Sequence, residues 1–108
     1  MSGATKKSIH VSEEERRIVC RVLREALHGE AVFVFGSRAR GDHRRASDLD
    51  IAVLASHPLS ITTQSQLEFG FSESDLPFKV DVVDLRTVDP SFREIIESEA
   101  IPLEYTSP

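Results

Sequence analysis

The chain has 108 residues and a mass of 12.1 kDa, with 40% hydrophobic and 29% charged residues, which is the composition of one globular domain with a single core. The net charge of −5 argues against a broad surface for duplex nucleic acid, whose phosphates require a basic face. No apolar stretch reaches the roughly 20 residues of a membrane-spanning helix, and none near Met1 resembles a secretory signal, so we expect a cytoplasmic protein with disorder confined to residues 1–10 and 104–108.

The first predicted element is a helix that begins after Ser12. Ser12 and Glu15 have the spacing of a capping box, in which each side chain accepts a hydrogen bond from the other residue's backbone. Apolar residues then recur at helical spacing over residues 18–27, and His28-Gly29 supplies a stop. Cys20 is the only cysteine, which excludes an internal disulfide and a cysteine-cluster zinc site, and its apolar neighbours indicate a buried thiol.

Two strands are predicted next, on either side of a polar loop. Ala31–Phe35 is short and wholly apolar, as expected of a strand covered on both faces, and it ends at Gly36. Residues 48–54 alternate between larger apolar side chains and Asp48, Asp50 and Ala52, which is the period of a strand with one face in the core. Both aspartates are therefore predicted to lie on the other face.

The remaining elements complete an α/β (α+β) fold. Residues 60–71 favour a helix, residues 78–85 favour a third strand, and Asp89-Pro90 opens a last helix, because proline is tolerated at the first helical position. We expect Phe92, Ile95 and Ile96 to point inward from this helix. Residues 102–108 are predicted to form a short tail or an edge strand. The expected architecture is one domain over residues 1–108, with a small, mixed, twisted sheet and helices packed mainly on one face.

The spacing of the first two aspartates predicts a metal site. Asp48 and Asp50 lie two residues apart on one strand, so their carboxylates point the same way and can share two Mg²⁺ ions through hard oxygen ligands, with Mn²⁺ as an alternative ion. Two such ions, roughly 3.5 to 4 Å apart, are a common device of phosphoryl and nucleotidyl transfer. A third carboxylate is then expected from another strand.

The third strand offers two candidates for this carboxylate. Asp81 and Asp84 have an odd separation, which places them on opposite faces of the strand. Val80 and Val82 belong on the core face, and this turns Asp81 toward the open face. Asp48, Asp50 and Asp81 are therefore the predicted catalytic and metal-binding residues, with Asp84 as the alternative to Asp81.

A glycine turn and two arginines precede the aspartates. Gly36 lets the backbone approach a phosphate without a Cβ in the way, and Ser37 adds a hydroxyl and an N–H group as donors. Arg38 and Arg40 are predicted to contact the outer phosphates of a nucleoside triphosphate. If residues 37–41 open a short helix, its free N–H groups would strengthen the anion site.

Together these motifs resemble the DNA polymerase beta-like nucleotidyltransferase superfamily, and within it the minimal nucleotidyltransferases of bacteria and archaea. The pattern of that family is an apolar strand ending in Gly-Ser, an Asp-x-Asp about ten residues later, and a third acidic residue between apolar ones. Here these are Gly36-Ser37, Asp48-Leu49-Asp50 and Val80-Asp81-Val82. The resemblance covers residues 31–85, and the flanking helices are consistent with it.

The resemblance implies a nucleotidyltransferase fold and a Mg²⁺-dependent enzyme that moves a nucleoside monophosphate, expected to be AMP from ATP, to an acceptor hydroxyl and releases pyrophosphate. Many minimal members pair with a small all-helical HEPN partner, and some act as antitoxins by adenylylating that partner, so a hetero-oligomer is expected. The alternative is a catalytically weak subunit that binds nucleotide, or an antitoxin that acts by steric binding alone.

Overall fold

The computed structural model of the protein describes residues 8–106. Within this range helices and strands follow one another in the order α1 (Glu13–Ala26), β1 (Ala31–Phe35), α2 (Ser37–Arg40), β2 (Leu49–Leu54), α3 (Ile61–Ser72), β3 (Val80–Asp84), α4 (Pro90–Glu99) and β4 (Ile101–Pro102). Each of the strands and longer helices predicted from the sequence is present, with ends that differ by one or two residues.

The helices begin at the capping residues that the sequence indicates. Ser12 Oγ accepts a hydrogen bond from the Glu15 N–H at 3.0 Å, and Glu15 Oε1 accepts one from the Ser12 N–H at 2.8 Å, so the capping box of α1 is complete. Ser60 caps α3 by accepting from the Thr63 N–H at 3.1 Å. Asp89 caps α4, with Pro90 at the first helical position.

The four strands of residues 8–106 form one mixed sheet in the order β3-β2-β1-β4. β1 is antiparallel to both β2 and β4, whereas β2 and β3 are parallel. The parallel pair is joined by α3, as expected, because parallel neighbours need a crossover connection. Of the two predictions for residues 102–108, the edge strand is confirmed only at Pro102, because β4 covers Ile101–Pro102 and residues 103–106 are neither helix nor strand.

The two faces of the sheet pack against different helices. Leu49, Ile51 and Val53 of β2 point into the larger core, which α1 and α3 complete. The other face of β2 carries Asp50 and Ala52, and there Ile96 of α4 packs in a smaller cluster. Helices therefore lie mainly on one face, as predicted, and α4 alone covers part of the face that carries the aspartates.

The chain ends are better ordered than predicted, as far as they are described. Tyr105 is 3% exposed, and its hydroxyl donates to the Glu30 carbonyl at 2.7 Å. The His10 N–H donates to the Arg38 carbonyl at 2.8 Å. The long-range hydrogen bonds of His10, Glu104 and Tyr105 argue against the predicted disorder at these three positions, while residues 1–7 and 107–108 lie outside the described residues.

Two smaller predictions can also be compared with the structure. Cys20 is buried, as predicted, and burial raises the pKa of its thiol. Over residues 8–106, we find no helix with the length and apolar character needed to cross a membrane.

Candidate active site

Asp50 and Asp81 stand side by side on neighbouring strands. The parallel register of β2 and β3 pairs Asp50 with Asp81, and both line an open cleft of about 820 Å³ on the face of the sheet that carries α4. Gly36, Ser37 and Arg40 line the same cleft. The structure thus brings two of the three predicted carboxylates to the predicted phosphate-binding turn.

Gly36 lies directly against Asp50 where β1 ends. Its φ of +77° is in the region that favours glycine, and a Cβ at this position would overlap Oδ2 of Asp50. Any other residue would therefore be strained and would also displace the carboxylate. The glycine of the Gly-Ser motif is therefore required by the close approach of the turn to Asp50.

Asp48 belongs to the same electrostatic group although it is exposed and is not among the residues that line the cleft. The pKa of Asp50 is raised from 3.8 to about 6, first by burial and then by the charges of Asp81, Asp48 and Glu99, while Arg40 lowers it. The aspartates are thus close enough to repel one another, and the cleft carries an excess of negative charge.

The donor set fits a hard divalent cation in ligand type and in charge. Carboxylate oxygens are the ligands that Mg²⁺ prefers, and a cation would relieve the repulsion that raises the pKa of Asp50. The side chains do not yet form a closed ligand set, because no group of three or more histidine, cysteine or acidic residues within residues 8–106 is arranged to hold a metal ion.

Ser37 and Arg40 belong to the short helix α2, which forms as the sequence suggested. Gly41 ends this helix in the left-handed conformation, and its N–H donates to the Ser37 carbonyl. α2 follows Gly36 without a gap, so Arg40 returns to the cleft one turn after the glycine.

Arg38 does not occupy the place that the sequence predicted for it. Its side chain is buried, at 4% exposure, and its guanidinium lies 4.1 Å from the centre of the Phe78 ring. Its nitrogens donate at 3.0 to 3.4 Å to the carbonyls of His10, Arg44, Arg45 and Ser47. The predicted phosphate contact of Arg38 is corrected on these grounds, because the donors of its guanidinium hold the loop between α2 and β2.

Asp84 is also bound elsewhere. Its carboxylate accepts from the N–H groups of Leu59 at 2.8 Å and Arg86 at 2.9 Å, and it lies on the face of β3 opposite Asp81. The geometry therefore agrees with the choice of Asp81 over Asp84 as the neighbour of Asp50.

The cleft contains residues that the sequence did not single out as site residues. Glu68 of α3 lines it, as do Phe92, Ile95 and Glu99 of α4. Phe92 and Ile95 were expected to point inward, but they are 41% and 57% exposed, because only the Ile96 face of α4 rests on the sheet. The sequence of a short helix does not show whether an apolar side chain faces the core or an open cleft, because both positions can be apolar.

Glu99 makes the most specific contacts of these additional residues. Its Oε2 accepts a hydrogen bond from the Gly36 N–H. Arg40 Nη1 donates to both of its carboxylate oxygens, at 3.1 Å and 2.9 Å. These partners are 63 and 59 residues distant along the chain, so no sequence motif could have indicated the contact.

Comparison with known proteins agrees with this geometry. The family model described as "Polymerase beta, Nucleotidyltransferase" matches residues 19–106. The "Probable protein adenylyltransferase MntA" of Haemophilus influenzae is 36% identical over 96 residues, which are 89% of this chain and 84% of that protein.

Solved structures show the same fold. A chain from a crystal structure of a toxin–antitoxin with AMP-PNP superposes with a TM-score of 0.70 at 29% identity, over 85% of this chain and 74% of that one. A chain from the complex of a tri-AMPylated Shewanella oneidensis HEPN toxin with an MNT antitoxin gives a TM-score of 0.65 at 26% identity, over 87% and 72% of the two chains.

Proposed function

Because the chain belongs to the polymerase beta nucleotidyltransferase family, we propose that it transfers AMP from ATP to a hydroxyl group on a protein partner. The observation that supports this most directly is the cleft in which Asp50 and Asp81 meet the turn at Gly36 and Ser37. Phosphoryl chemistry needs positioning and charge neutralisation more than covalent help, and this cleft offers groups for both.

The site residues divide into two groups in this proposal. Asp48, Asp50 and Asp81 would hold Mg²⁺, or Mn²⁺ in its place, and a bound ion neutralises phosphate charge. Gly36 leaves room for a phosphate beside the backbone, Ser37 donates from its hydroxyl, and Arg40 donates from its guanidinium to the outer phosphates.

The chemistry is a single displacement at the α-phosphorus. The acceptor oxygen forms a bond to this phosphorus, the bond to the oxygen that bridges the α- and β-phosphates breaks, and pyrophosphate leaves with the electron pair. Asp81, which is exposed on the edge strand β3, would accept the proton of the acceptor hydroxyl. Arg40 would stabilise the charge that develops on the leaving pyrophosphate.

The proposed partner is a small all-helical HEPN-type protein, with which the chain would form a hetero-oligomer. The support comes from its relatives, since one structural neighbour is a chain from the complex of a tri-AMPylated HEPN toxin with an MNT antitoxin. A cytoplasmic location stays a prediction from the sequence.

A second candidate is a catalytically weak subunit that binds nucleotide or blocks its partner sterically. Two observations favour it: the carboxylates of the described residues do not form a ready metal site, and Glu99 occupies donors that a phosphate would need. In both candidates nucleotide or partner would bind at the same cleft, so a measurement of transferase activity is needed to distinguish them.

Transfer of label from α-³²P-ATP to the partner tests the proposal. With Mg²⁺ and the purified partner, we expect label on the partner with the native chain and a loss of at least about a hundredfold with the Asp48→Asn, Asp50→Asn double variant. Asp75→Asn, which removes an exposed carboxylate before β3, is the control and should label normally.

Two results would contradict the proposal. Undiminished labelling by the double variant would show that these aspartates do not form the active site. A partner that is never labelled with any nucleoside triphosphate, yet is inhibited equally by the native chain and the double variant, would establish the steric alternative.

A further inference from the structure

The groups that the proposed function assigns to phosphate already hold an anion of the chain itself. The Gly36 N–H and the Arg40 guanidinium both donate to the carboxylate of Glu99, and Nη1 of Arg40 contacts both carboxylate oxygens, at 2.9 Å and 3.1 Å. Two backbone or side-chain donors converging on one carboxylate is the arrangement by which proteins also bind phosphate oxygens.

Core packing, and not the ion pair, sets the place of Glu99. It is the last residue of α4, and one turn earlier Ile96 is fully buried against the sheet. Two residues later Ile101 pairs with Val34 of β1. The backbone on both sides of Glu99 is therefore fixed, and its side chain, 18% exposed, is directed to the end of β1.

The surroundings of Glu99 explain why it needs these donors. It shares the cleft with Asp50 and Asp81, and a carboxylate brought among other carboxylates is destabilised unless it is hydrogen-bonded. A triphosphate would bring further negative charge to the same two donors. Glu99 and a phosphate group cannot both occupy them.

We propose that Glu99 is an intramolecular substitute for a nucleotide phosphate, which occupies the Gly36 N–H and the Arg40 guanidinium in the free protein and must rotate away when nucleotide binds. This inference rests on the proposed function, because it requires that nucleotide phosphates bind at this turn. Glu99 would therefore compete with nucleotide for these two donors and lower the affinity of the resting site.

The expected change in nucleotide affinity depends on the fraction of molecules in which Glu99 occupies the two donors. The apparent dissociation constant equals the intrinsic constant divided by the fraction of molecules in the competent state. If Glu99 occupies the donors in about nine molecules of ten, its removal tightens nucleotide binding roughly tenfold.

Calorimetric titration of the full chain with Mg²⁺ and the α,β-methylene analogue of ATP, which cannot transfer its AMP, measures this directly. Glu99→Gln keeps the size of the side chain and removes its charge, and Glu99→Ala removes the contact altogether. We expect about tenfold tighter binding for Glu99→Gln and at least that for Glu99→Ala.

Two control variants separate this contact from a general loss of negative charge. Glu68→Gln removes a carboxylate from the same cleft, but the hydrogen bonds of Gly36 and Arg40 go to Glu99 and Asp42, not to Glu68. Glu97→Gln removes one from the same helix, where it pairs with Arg93. Both should change the affinity less than about threefold, because neither carboxylate accepts a hydrogen bond from Gly36 or Arg40 and an exposed charge is screened by salt.

A double-mutant cycle tests the role of Arg40 in the competition. In the Arg40→Ala background, Glu99→Gln should lose most of its gain in affinity, because the strongest shared donor is gone.

The outcomes are distinct. If the native chain binds the analogue and Glu99→Gln binds it no more tightly than Glu68→Gln does, the inference is wrong and the proposed function stands. If native, Glu99→Gln and Glu99→Ala chains all fail to bind the analogue, the proposed function fails and the inference with it. Binding by the Glu99 variants with little or none by the native chain would support both.

Discussion

Asp50 is a partly buried carboxylate whose negative charge is opposed by its surroundings. Its pKa in the folded protein, about 6, lies above its ordinary value of 3.8 because of burial and the neighbouring carboxylates. The folded state therefore binds more protons than the unfolded state between these values, and stability falls as the pH rises through this window. Above a pH of about 6, Asp50 is charged in the folded protein, and its charge lowers the free energy of unfolding by the full amount.

Asp50→Asn should for this reason raise the free energy of unfolding at neutral pH. Because the side chain of Asp50 is partly exposed, solvent screens its charge and reduces the effect of the pKa shift on stability, so we expect a gain of about 1 kcal/mol. Urea unfolding in the presence of EDTA at a series of pH values checks this, with exposed Asp75→Asn as the control. A variant less stable than the native chain at neutral pH would show that the charge of Asp50 is well accommodated.

Arg38 contributes to the loop and not to the nucleotide site, and this gives a second prediction. Arg38→Ala removes the guanidinium donors of four carbonyls, of which, within residues 8–106, only that of Arg44 keeps another donor, the Ser47 N–H, and it removes the contact with Phe78, so it should destabilise the fold by about 3 kcal/mol. Arg38→Lys should not restore this, because an ammonium cannot span four carbonyls in a plane.

Urea unfolding of Arg38→Ala and of Arg45→Ala, an exposed charge in the same loop, provides the comparison. Arg45→Ala should change the stability by less than about 0.5 kcal/mol. A native-like stability of Arg38→Ala together with lost nucleotide binding would instead return Arg38 to the phosphate site.

The helices pack most closely where α3 crosses α1. A Cβ on Gly70 would lie 2.7 Å from Cγ1 of Val22, whose side chain is 4% exposed and stiff at its branched carbon. Glycine in a helix interior lowers stability by about 1 kcal/mol relative to alanine. The lack of space for a Cβ between α1 and α3 therefore explains why glycine is present at this position.

Gly70→Ala is accordingly expected to destabilise the protein by about 1 kcal/mol, since overpacking of 1–3 kcal/mol exceeds the gain in helix propensity. Ser65→Ala at an exposed position of the same helix should stabilise it by about 0.5 kcal/mol. Thermal unfolding of both variants is the measurement. Stabilisation by both would mean that α1 and α3 are farther apart than the structure shows.

The cleft is lined by residues from six elements, β1 to α4, so a bound ligand should raise the free energy of unfolding of the whole domain. ATP with Mg²⁺ at about a hundred times its dissociation constant should add roughly 2.7 kcal/mol to the free energy of unfolding, a rise in Tm of about 10 °C for a domain of this size. The Asp48→Asn, Asp50→Asn variant should lose the rise with Mg²⁺. An unchanged Tm of the native chain at millimolar ATP and Mg²⁺ would oppose nucleotide binding.

The amino-acid sequence by itself determined the features that depend on neighbours along the chain. Ser12 and Glu15 predicted the start of α1, the alternation over residues 48–54 put Asp48 and Asp50 off the core face, and the valines around Asp81 predicted its side of β3. These predictions agree with the structure because helix capping and strand pleating depend on residues only two to four positions apart.

Only the tertiary structure decided which groups meet across the chain. The direction of the Arg38 guanidinium into the loop, the exposure of Phe92 and the contact of Glu99 with Gly36 and Arg40 follow from how α4 and the loop dock on the sheet. Docking is set by the shape and burial of surfaces from distant segments. The local sequence around an arginine in a helix or a glutamate at a helix end does not specify the direction of its side chain.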